Sequence, residues 1–281
     1  MTQTLTFHDF GPRHLDDALA LSQAAGWPHR REDWALIAGL SRGAVACADG
    51  RVVATALATP FGPVAMANMI IVDAAMRGRG LGREIMQRAL RLAEPREWRL
   101  VATQPGLPLY RKLGFQDCGL VHQHQGLLPA LAPPPGVRLA GPQDSNAIAA
   151  MDRAATGADR GALLARLAGP GRVALDEGGA GFAVLRDFGR GQLVGPVIAR
   201  DAAAARRLVG WLLAGRAGQF MRIDTPQDAD GDAGLSDWLA GLGLARVDTG
   251  IAMRRGAPDP DAAPAANPGL RRFALAAQAL G

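Results

Sequence analysis

Lysine, aromatic residues and cysteine are all scarce in this chain of 281 residues. Lys112 is the single lysine among 31 basic residues, Tyr110 is the single tyrosine, and aromatic residues make up 5% of the chain. Two cysteines, Cys47 and Cys118, are too few for a disulfide framework or a four-cysteine zinc site. The first ten residues lack the apolar run of a secretory signal, so a cytoplasmic protein is expected.

Blocks of one charge sign and long apolar runs are also missing. The net charge is +5, and 26 acidic residues are interspersed among the arginines without any basic run of five or six, so nucleic-acid binding is not predicted. An uncharged stretch over residues 52–72 has the length of a membrane span, but Pro60-Phe61-Gly62-Pro63 interrupts it. Two buried strands joined by a tight turn fit this stretch better, and no membrane segment is predicted.

What the sequence does contain is a repeated order of predicted elements on either side of Pro133-Pro134-Pro135. The separation in sequence between the opening strands at Leu5 and Val137 nearly equals the separation between Leu113-Gly114-Phe115 and Leu242-Gly243-Leu244. Equal spacing of equivalent features indicates a duplication. At 48% hydrophobic and 20% charged residues, each half has the material for a globular core.

The duplication predicts two domains, over residues 1–130 and 136–281. In the second, a Pro/Ala-rich linker over Ala257–Gly269 is expected to lead into an apolar helix, Phe273 to Leu280. This helical tail is expected to pack against the second domain.

The sharpest local feature is a loop rich in glycine and arginine, Arg77-Gly78-Arg79-Gly80-Leu81-Gly82-Arg83, between an apolar strand and an amphipathic helix. Glycines let a backbone approach a ligand closely, and a helix N-terminus offers free N–H groups and the positive end of its dipole. The arginines add charge where a pyrophosphate would bind. The spacing is not the dinucleotide-binding G-x-G-x-x-G, and a solvated glycine-rich turn is the alternative interpretation.

This loop, with a second motif that follows the next predicted strand, resembles the GNAT superfamily of N-acetyltransferases. Arg77, Gly80 and Gly82 fit its Arg/Gln-x-x-Gly-x-Gly/Ala pyrophosphate loop, and the run Pro108-Leu109-Tyr110-Arg111-Lys112-Leu113-Gly114-Phe115 is similar to its LYxxLGF element. The resemblance is strong over residues 1–128, whereas residues 137–254 look like a degenerate copy. It implies an α+β (mixed α/β) fold of two GNAT-like domains, each a central mixed, mostly antiparallel sheet flanked by helices.

The resemblance also implies acetyl-CoA as co-substrate, no metal, and direct acetyl transfer in a ternary complex to a primary amine of a small molecule or a protein. Ile71 and Val72 would supply main-chain contacts to the pantetheine arm, and residues 77–83 would bind the pyrophosphate. Tyr110 stands at the position of the family's general acid, which would protonate the departing thiolate. A backbone N–H could stabilise the tetrahedral oxyanion.

Several roles stay open at this stage. Trp27 and His29 lie in the region that commonly lines the acceptor cleft in the family, although ordinary packing explains the tryptophan equally well. The general base is not identified, and its candidates, each more easily explained as structural or solvated, are Asp73, Asn68, Glu32 and His29. The family often places Asn after the fifth strand, where this chain has Thr103-Gln104-Pro105-Gly106, so that cofactor contact is in doubt.

His122 and His124 share one strand face by their spacing, but no third metal ligand is evident. A solvated or cleft-lining face is therefore favoured over a metal site.

The second half lacks the chemical residues of the first. Alignment of the helices puts Ala202-Ala203-Ala204-Ala205 where the glycine loop lies, and Leu239 takes the place of Tyr110. We therefore expect one coenzyme A site, with the second half helping to enclose the acceptor pocket. The alternative function is a non-catalytic acyl-CoA sensor or a protein-interaction module on the same fold.

Overall fold

A computed structural model describes residues 4–169, 172–227, 233–257 and 269–281 of the chain. The first half contains six strands and four α-helices among the described residues. They are β1 (Leu5–Asp9), α1 (Leu15–Ala24), α2 (Arg31–Ala38), β2 (Arg42–Ala48), β3 (Arg51–Phe61), β4 (Val64–Val72), α3 (Leu81–Leu90), β5 (Glu97–Ala102), α4 (Leu107–Lys112) and β6 (Gln116–Leu127).

The second half repeats this order and adds one strand. Its elements are β7 (Val137–Leu139), α5 (Ser145–Thr156), α6 (Gly161–Ala168), β8 (Arg172–Asp176), β9 (Gly181–Phe188), β10 (Gly191–Ala199), α7 (Ala202–Leu213), β11 (Phe220–Gln227), α8 (Ala233–Gly241), β12 (Ala245–Gly256) and β13 (Arg271–Ala274). The predicted linker over Ala257–Gly269 lies almost wholly outside the described residues.

The prediction of a helical tail over Phe273–Leu280 is wrong. Residues 271–274 form strand β13, which pairs antiparallel with β10, and residues 275–281 continue as a turn whose Gly281 amide donates to Ala277 O. A short apolar run is compatible with a helix or a buried strand, and here unpaired backbone groups of β10 were available to it. The tail therefore belongs to the sheet.

The described strands form one sheet in which the halves exchange their last strands. The order is β1-β2-β3-β4-β5-β12-β6-β11-β10-β9-β8-β7, with β13 on β10. Strand β12 of the second half lies antiparallel between β5 and β6, and β6 of the first half lies antiparallel between β12 and β11. Each half thus depends on the other for the neighbours of its fifth strand.

Apolar side chains from both halves also share one core. Helix α1 contributes Leu21, strand β4 contributes Met66, helix α6 contributes Leu163, β9 contributes Phe182, and the tail contributes Leu280, all buried in one cluster. Burial of side chains of this size contributes roughly 1.5–3 kcal/mol each. Among the described residues, no helix is long and apolar enough to cross a membrane.

Strand β4 carries the irregularity that opens the sheet. Met69 has a φ of +48°, and the pairing of β4 with β3 shifts register at this point. A buried methionine at positive φ is an uncommon conformation that its surroundings must hold in place. Parallel pairing of β4 with β5 is confined to residues 64–66 and 97–99, so it ends just before the bulge and the strands are unpaired with each other from there on.

Candidate functional site

The glycine-rich loop lies at the N-terminus of α3, beside the opening between β4 and β5. Gly80 has a φ of +79° and forms the N-cap of α3, and Gly78 has a φ of +77°. Within the described residues, no hydrogen-bond partner is found for the amide groups of Gly80, Leu81 and Gly82. A helix start with free amides and no side-chain cap is a ready anion-binding site.

The arginines of this loop add accessible positive charge. Arg77, Arg79 and Arg83 are exposed, and the Arg77 guanidinium donates from Nε to the carbonyl oxygen of Val72 at 3.3 Å. Leu81 instead points into the core under β2 and β3, which fixes the start of the helix. The predicted pyrophosphate residues are thus brought together, with the arginines facing solvent around the free amides.

Tyr110 projects from α4 toward the same opening. Its ring packs at 6.3 Å, centroid to centroid, against Phe115, and a Cβ added at Gly106 would come within 2.7 Å of the ring. Burial raises the pKa of Tyr110 to about 12, so the phenol keeps its proton at neutral pH. Tyr110 also lines the cavity that the opening leads into.

That cavity, of about 220 Å³, lies between the two halves. The first half contributes Trp27 and His29 from the segment between α1 and α2, and Met69 and Ile70 from the bulge. The second half and the tail complete the wall. Their contributions are Phe188, Arg222, Asp248, Ala277, Gln278 and Ala279.

The predicted main-chain residues lie next to this wall. The cavity reaches Met69 and Ile70, whereas Ile71 pairs with Thr55 of β3, and the Val72 side chain packs near Gly82. A role for Ile71 and Val72 in holding a pantetheine arm stays a prediction.

His29 forms part of the cavity wall and is largely buried and neutral. Its ring packs against Trp27 at 5.6 Å and, edge-on, against Phe188 at 5.5 Å between centroids. Burial lowers its pKa to about 4, and the nearby guanidinium groups of Arg222 and Arg186 lower it further against the raising effect of Asp33. An imidazole with this pKa stays uncharged at neutral pH, which favours hydrogen bonding over proton removal from an amine.

Asn68, one residue before the bulge, presents an amide oxygen without a partner. Its Nδ2 group donates to Thr59 Oγ1 and to Ala279 O, both at 2.8 Å. A carbonyl oxygen can only accept, so the bond to Ala279 fixes which end of the amide is nitrogen. Asn68 Oδ1 is then buried with no partner among the described residues, on a side chain that lines the cavity.

A group of mostly buried charges from both halves lies at the cavity wall and directly behind it. Asp33 accepts from Arg30 and, at 2.9 Å, from the Gly189 amide, while Arg186 approaches it at 3.6 Å. Burial raises the pKa of Asp33, but the hydrogen bonds from Arg30 and Gly189 outweigh this and leave it below its usual value. Arg222 pairs with Asp224 at 2.9 Å. Sequence reasoning missed this group, and its one local signal is the Arg-x-Asp alternation in β11.

Other candidates prove to have structural roles or lie elsewhere. Asp73 accepts from the Ala75 amide and pairs with Arg51, and Glu32 is exposed outside the cavity wall. His122 contacts Thr249 and Gln227, whereas His124 contacts Leu244 O and Ser236. Nowhere in the described part of the chain do three His, Cys, Asp or Glu side chains converge as metal ligands.

The equivalent region of the second half is closed. Two residues, Arg200 and Asp201, separate β10 from α7, and the Asp201 carboxylate accepts from the Ala204 amide at 2.8 Å. The four alanines predicted to align with the glycine loop are instead the first turn of α7. Leu239 does occupy the place of Tyr110, because Leu244 N donates to Leu239 O as Phe115 N donates to Tyr110 O, both at 3.0 Å.

The opening between β10 and β11 is filled by the tail. Parallel pairing of these strands is confined to residues 192–193 and 221–222. Beyond it, β13 pairs with β10, and the Leu275 amide donates to Asp224 O at 2.9 Å. The first half leaves the corresponding strands β4 and β5 unpaired with each other beyond residues 66 and 99, whereas the second half covers this region with its own chain.

Comparisons with known proteins agree with this duplicated plan. Two family models described as acetyltransferase (GNAT) domain match residues 40–117 and 148–265. The uncharacterized N-acetyltransferase YitH of Bacillus subtilis (strain 168) is 29% identical over 249 residues, which span 84% of this chain and 86% of that protein.

Solved structures share the fold over the whole chain. A proposed acetyltransferase from Pyrococcus horikoshii has a TM-score of 0.80 at 20% identity, covering 100% of this chain and 97% of its own. A tandem GNAT protein from the clavulanic acid biosynthesis pathway has a TM-score of 0.62 at 17% identity, covering 91% and 100%. At these identities the likeness concerns the fold alone.

Proposed function

Since the chain belongs to the GNAT superfamily of acetyltransferases and carries two of its domains in tandem, we propose that this acyltransferase transfers the acetyl group of acetyl-CoA directly to a primary amine bound between its halves. The acceptor is a small molecule or a protein amino group. The proposal assigns the chemistry to residues 1–130 and an enclosing role to residues 136–281. A cytoplasmic location stays a prediction.

The observation that carries the proposal is the start of α3. The amides of Gly80, Leu81 and Gly82 have no partner within the described residues, and the exposed arginines at positions 77, 79 and 83 surround them. This arrangement fits a pyrophosphate, because N–H groups, helix dipole and guanidinium groups all favour anionic oxygen. Bound acetyl-CoA supplies an activated thioester.

The residues along the opening then have distinct tasks. The amine nitrogen attacks the thioester carbonyl, the N–C bond forms and the C–S bond breaks. In this proposal the Asn68 Oδ1 atom, which has no partner within the described residues, accepts an N–H of the attacking amine, and backbone N–H groups near the Met69 bulge stabilise the negative charge on the carbonyl oxygen. The Tyr110 hydroxyl donates a proton to the leaving sulfur, the proton lost by the amine passes to water, and the Tyr110 phenolate takes a proton back from water.

Acetyl-CoA binding tests the loop. By isothermal titration calorimetry, Arg77→Glu is expected to weaken binding about 10- to 100-fold, the range of one or two charge-assisted hydrogen bonds. Arg91→Glu is the matched control, since Arg91 is an exposed arginine at the other end of the same helix. Equal affinities for the Arg77→Glu variant and the wild type would refute the loop assignment.

Turnover tests Tyr110 and separates the enzyme from a sensor. Tyr110→Phe keeps the ring against Phe115 and Gly106, and we expect kcat to fall about 10²- to 10⁴-fold while acetyl-CoA affinity changes by less than about threefold. If the wild type binds acetyl-CoA but acetylates no member of a broad amine panel, the site is better explained as that of a non-catalytic sensor.

A further inference from the structure

Charged side chains are few in the wall of the cavity, and one of them is buried. Of the residues that line the cavity within the described ranges, Arg222 and Asp248 are charged, and Arg222 is 8% exposed, whereas Asp248 is exposed. Solvent screens an exposed carboxylate, so its effect on a ligand inside is small. The electrostatics of the inner cavity are therefore set by Arg222 and its buried neighbours.

Arg222 uses one edge of its guanidinium group and leaves the other free. Its Nε donates to Asp224 Oδ1 at 3.0 Å, and its Nη2 donates to Asp224 Oδ2 at 2.9 Å. The described residues provide no hydrogen-bond partner for Nη1, and Arg222 lines the cavity. A guanidinium held side-on by one carboxylate still offers Nη1 and the second N–H of Nη2 as an end-on fork.

The buried arginines at this place are not equally matched by carboxylates. Asp33 is shared between Arg30 and Arg186, whereas Arg222 pairs with Asp224, so Arg186 has no carboxylate to itself. Arg186 is buried, and its Nε has no partner within the described residues. The guanidinium groups of Arg186 and Arg222 flank the ring of Phe188, with Cζ atoms 4.9 and 5.2 Å from its centroid. Two buried guanidinium groups on one aromatic ring, one of them without a carboxylate of its own, suit a ligand that brings a negative charge.

We propose that the acceptor is a small amine that also carries a carboxylate group, which the free end-on edge of Arg222 binds in a bidentate manner beside Phe188 and His29. This inference rests on the proposed function and narrows it to acceptors of the amino-acid class. A planar carboxylate matches two parallel N–H donors, which a single ammonium group could not supply. The second half thereby selects the acceptor while the first half carries the chemistry.

The test compares acceptors that differ in the carboxylate alone. L-phenylalanine is measured against phenethylamine, and L-lysine against cadaverine, as kcat/KM with saturating acetyl-CoA. We expect the amino acid of at least one pair to be preferred about 10- to 100-fold, the range of a charge-assisted bidentate contact. Equal values of kcat/KM within both pairs would overturn the inference. O-phosphoethanolamine against ethanolamine forms a third pair, and a preference confined to this pair assigns the site to phosphate and also overturns it.

Arg222→Lys distinguishes binding from packing. Lysine keeps a charge near Asp224 but cannot make bidentate contacts to Asp224 and to an acceptor carboxylate at the same time. The ratio of kcat/KM between the amino acid and the amine is therefore expected to fall to within about threefold. Arg200→Lys, an exposed arginine of the second half, should keep the wild-type preference. A variant that lowers kcat/KM equally for both members of a pair would show a structural role alone. If Arg222→Lys does not fold, the wild-type pairs still decide.

The same pairs separate failure of this inference from failure of the proposed function. If no amine is acetylated, calorimetry with the protein saturated in coenzyme A measures binding of L-phenylalanine and phenethylamine. Tighter binding of the amino acid supports the carboxylate site although the acetylation hypothesis has failed, and equal binding overturns the site as well.

Discussion

In the first half of the chain, eight residues separate the end of β4 from the start of α3, whereas in the second half two residues separate β10 from α7. Before this point, equivalent elements of the two halves keep a nearly constant separation in sequence. Strand β2 begins at Arg42 and β8 at Arg172, and this separation is nearly that of the two opening strands. After it the separation is shorter, because α3 begins at Leu81 and α7 already at Ala202. The difference lies in the loop that would bind pyrophosphate.

The two helix starts also satisfy their amides differently. At α7, the Asp201 carboxylate accepts from the Ala204 amide, so negative charge from the chain occupies the positive end of the helix dipole. At α3, Gly80 has no side chain to do this, and the end stays free. One fold can therefore bind an anion or supply its own, depending on the loop before the helix.

The largest effect is expected from a change that releases the tail, because the tail fills the opening of the second half. Arg160 pairs with Asp152 at 2.6 Å, both side chains almost fully buried, and donates to the backbone oxygens of Leu280 and Gly281. Arg160→Met leaves the Asp152 carboxylate unpaired, so we expect unfolding free energy to drop by about 3–5 kcal/mol, measured by urea denaturation.

Arg153→Met supplies the control for this loss. Arg153 pairs with Asp159 on the surface, with side chains 64% and 55% exposed. A change of at most about 1 kcal/mol is expected there. A loss for Arg160→Met no larger than this would contradict the anchoring role of the pair.

A second change places a carboxylate at the start of α3, as Asp201 does at the start of α7. Gly80→Asp places a carboxylate at the N-terminus of α3, and we expect acetyl-CoA affinity to fall by about 100-fold or more through like-charge repulsion with the pyrophosphate. Gly80→Asn has nearly the same shape, carries no charge and tolerates positive φ, so it isolates the electrostatic part. Similar losses in both variants would assign the effect to steric contact.

A third prediction concerns the contact between the halves at His29. Because its pKa is lowered to about 4 in the folded protein, the unfolded chain binds more protons between pH 6.5 and 4, and stability falls as the pH falls through this window. By linkage this costs about 2–3 kcal/mol between pH 7 and pH 4. His29→Phe should remove that part of the dependence, seen as a flatter plot of unfolding free energy against pH. A plot parallel to that of the wild type would contradict the buried neutral histidine.

The smallest expected effect comes from removing the helix cap in the second half. Asp201→Ala removes the cap of α7 and should cost about 1 kcal/mol of stability. It should not create a second coenzyme site, because β13 still fills the opening between β10 and β11. Calorimetry is expected to give one acetyl-CoA per chain for this variant and for the wild type, and a stoichiometry of two would show that the cap alone closes the second half.

The catalytic candidates of the first half could be predicted because their signals are local. A glycine at positive φ, a helix that starts directly after it, and a tyrosine three residues before a Leu-Gly-Phe turn all lie within short stretches. Short-range backbone geometry determines such features, and residues close in sequence report it. The prediction for the tail was wrong, because a short apolar run fits a strand as well as a helix.

The acceptor wall could not be predicted in the same way. His29 and Phe188 belong to different halves of the chain yet pack ring to ring at 5.5 Å, and Asn68 receives its orientation from Ala279. The period of two in a strand is compatible with Arg222 and Asp224 on one face of β11, but this spacing does not say which element that face meets. Only the exchange of β6 and β12 decides this.

From its sequence alone, this chain specified a duplicated α/β plan, with a glycine- and arginine-rich loop before the helix of one half and no such loop in the other. The tertiary structure alone decided that the tail enters the second opening and that Arg222 faces the first. The physical reason is range: backbone conformation and capping depend on neighbours a few residues away, whereas a cavity wall depends on which distant surfaces can bury apolar area together.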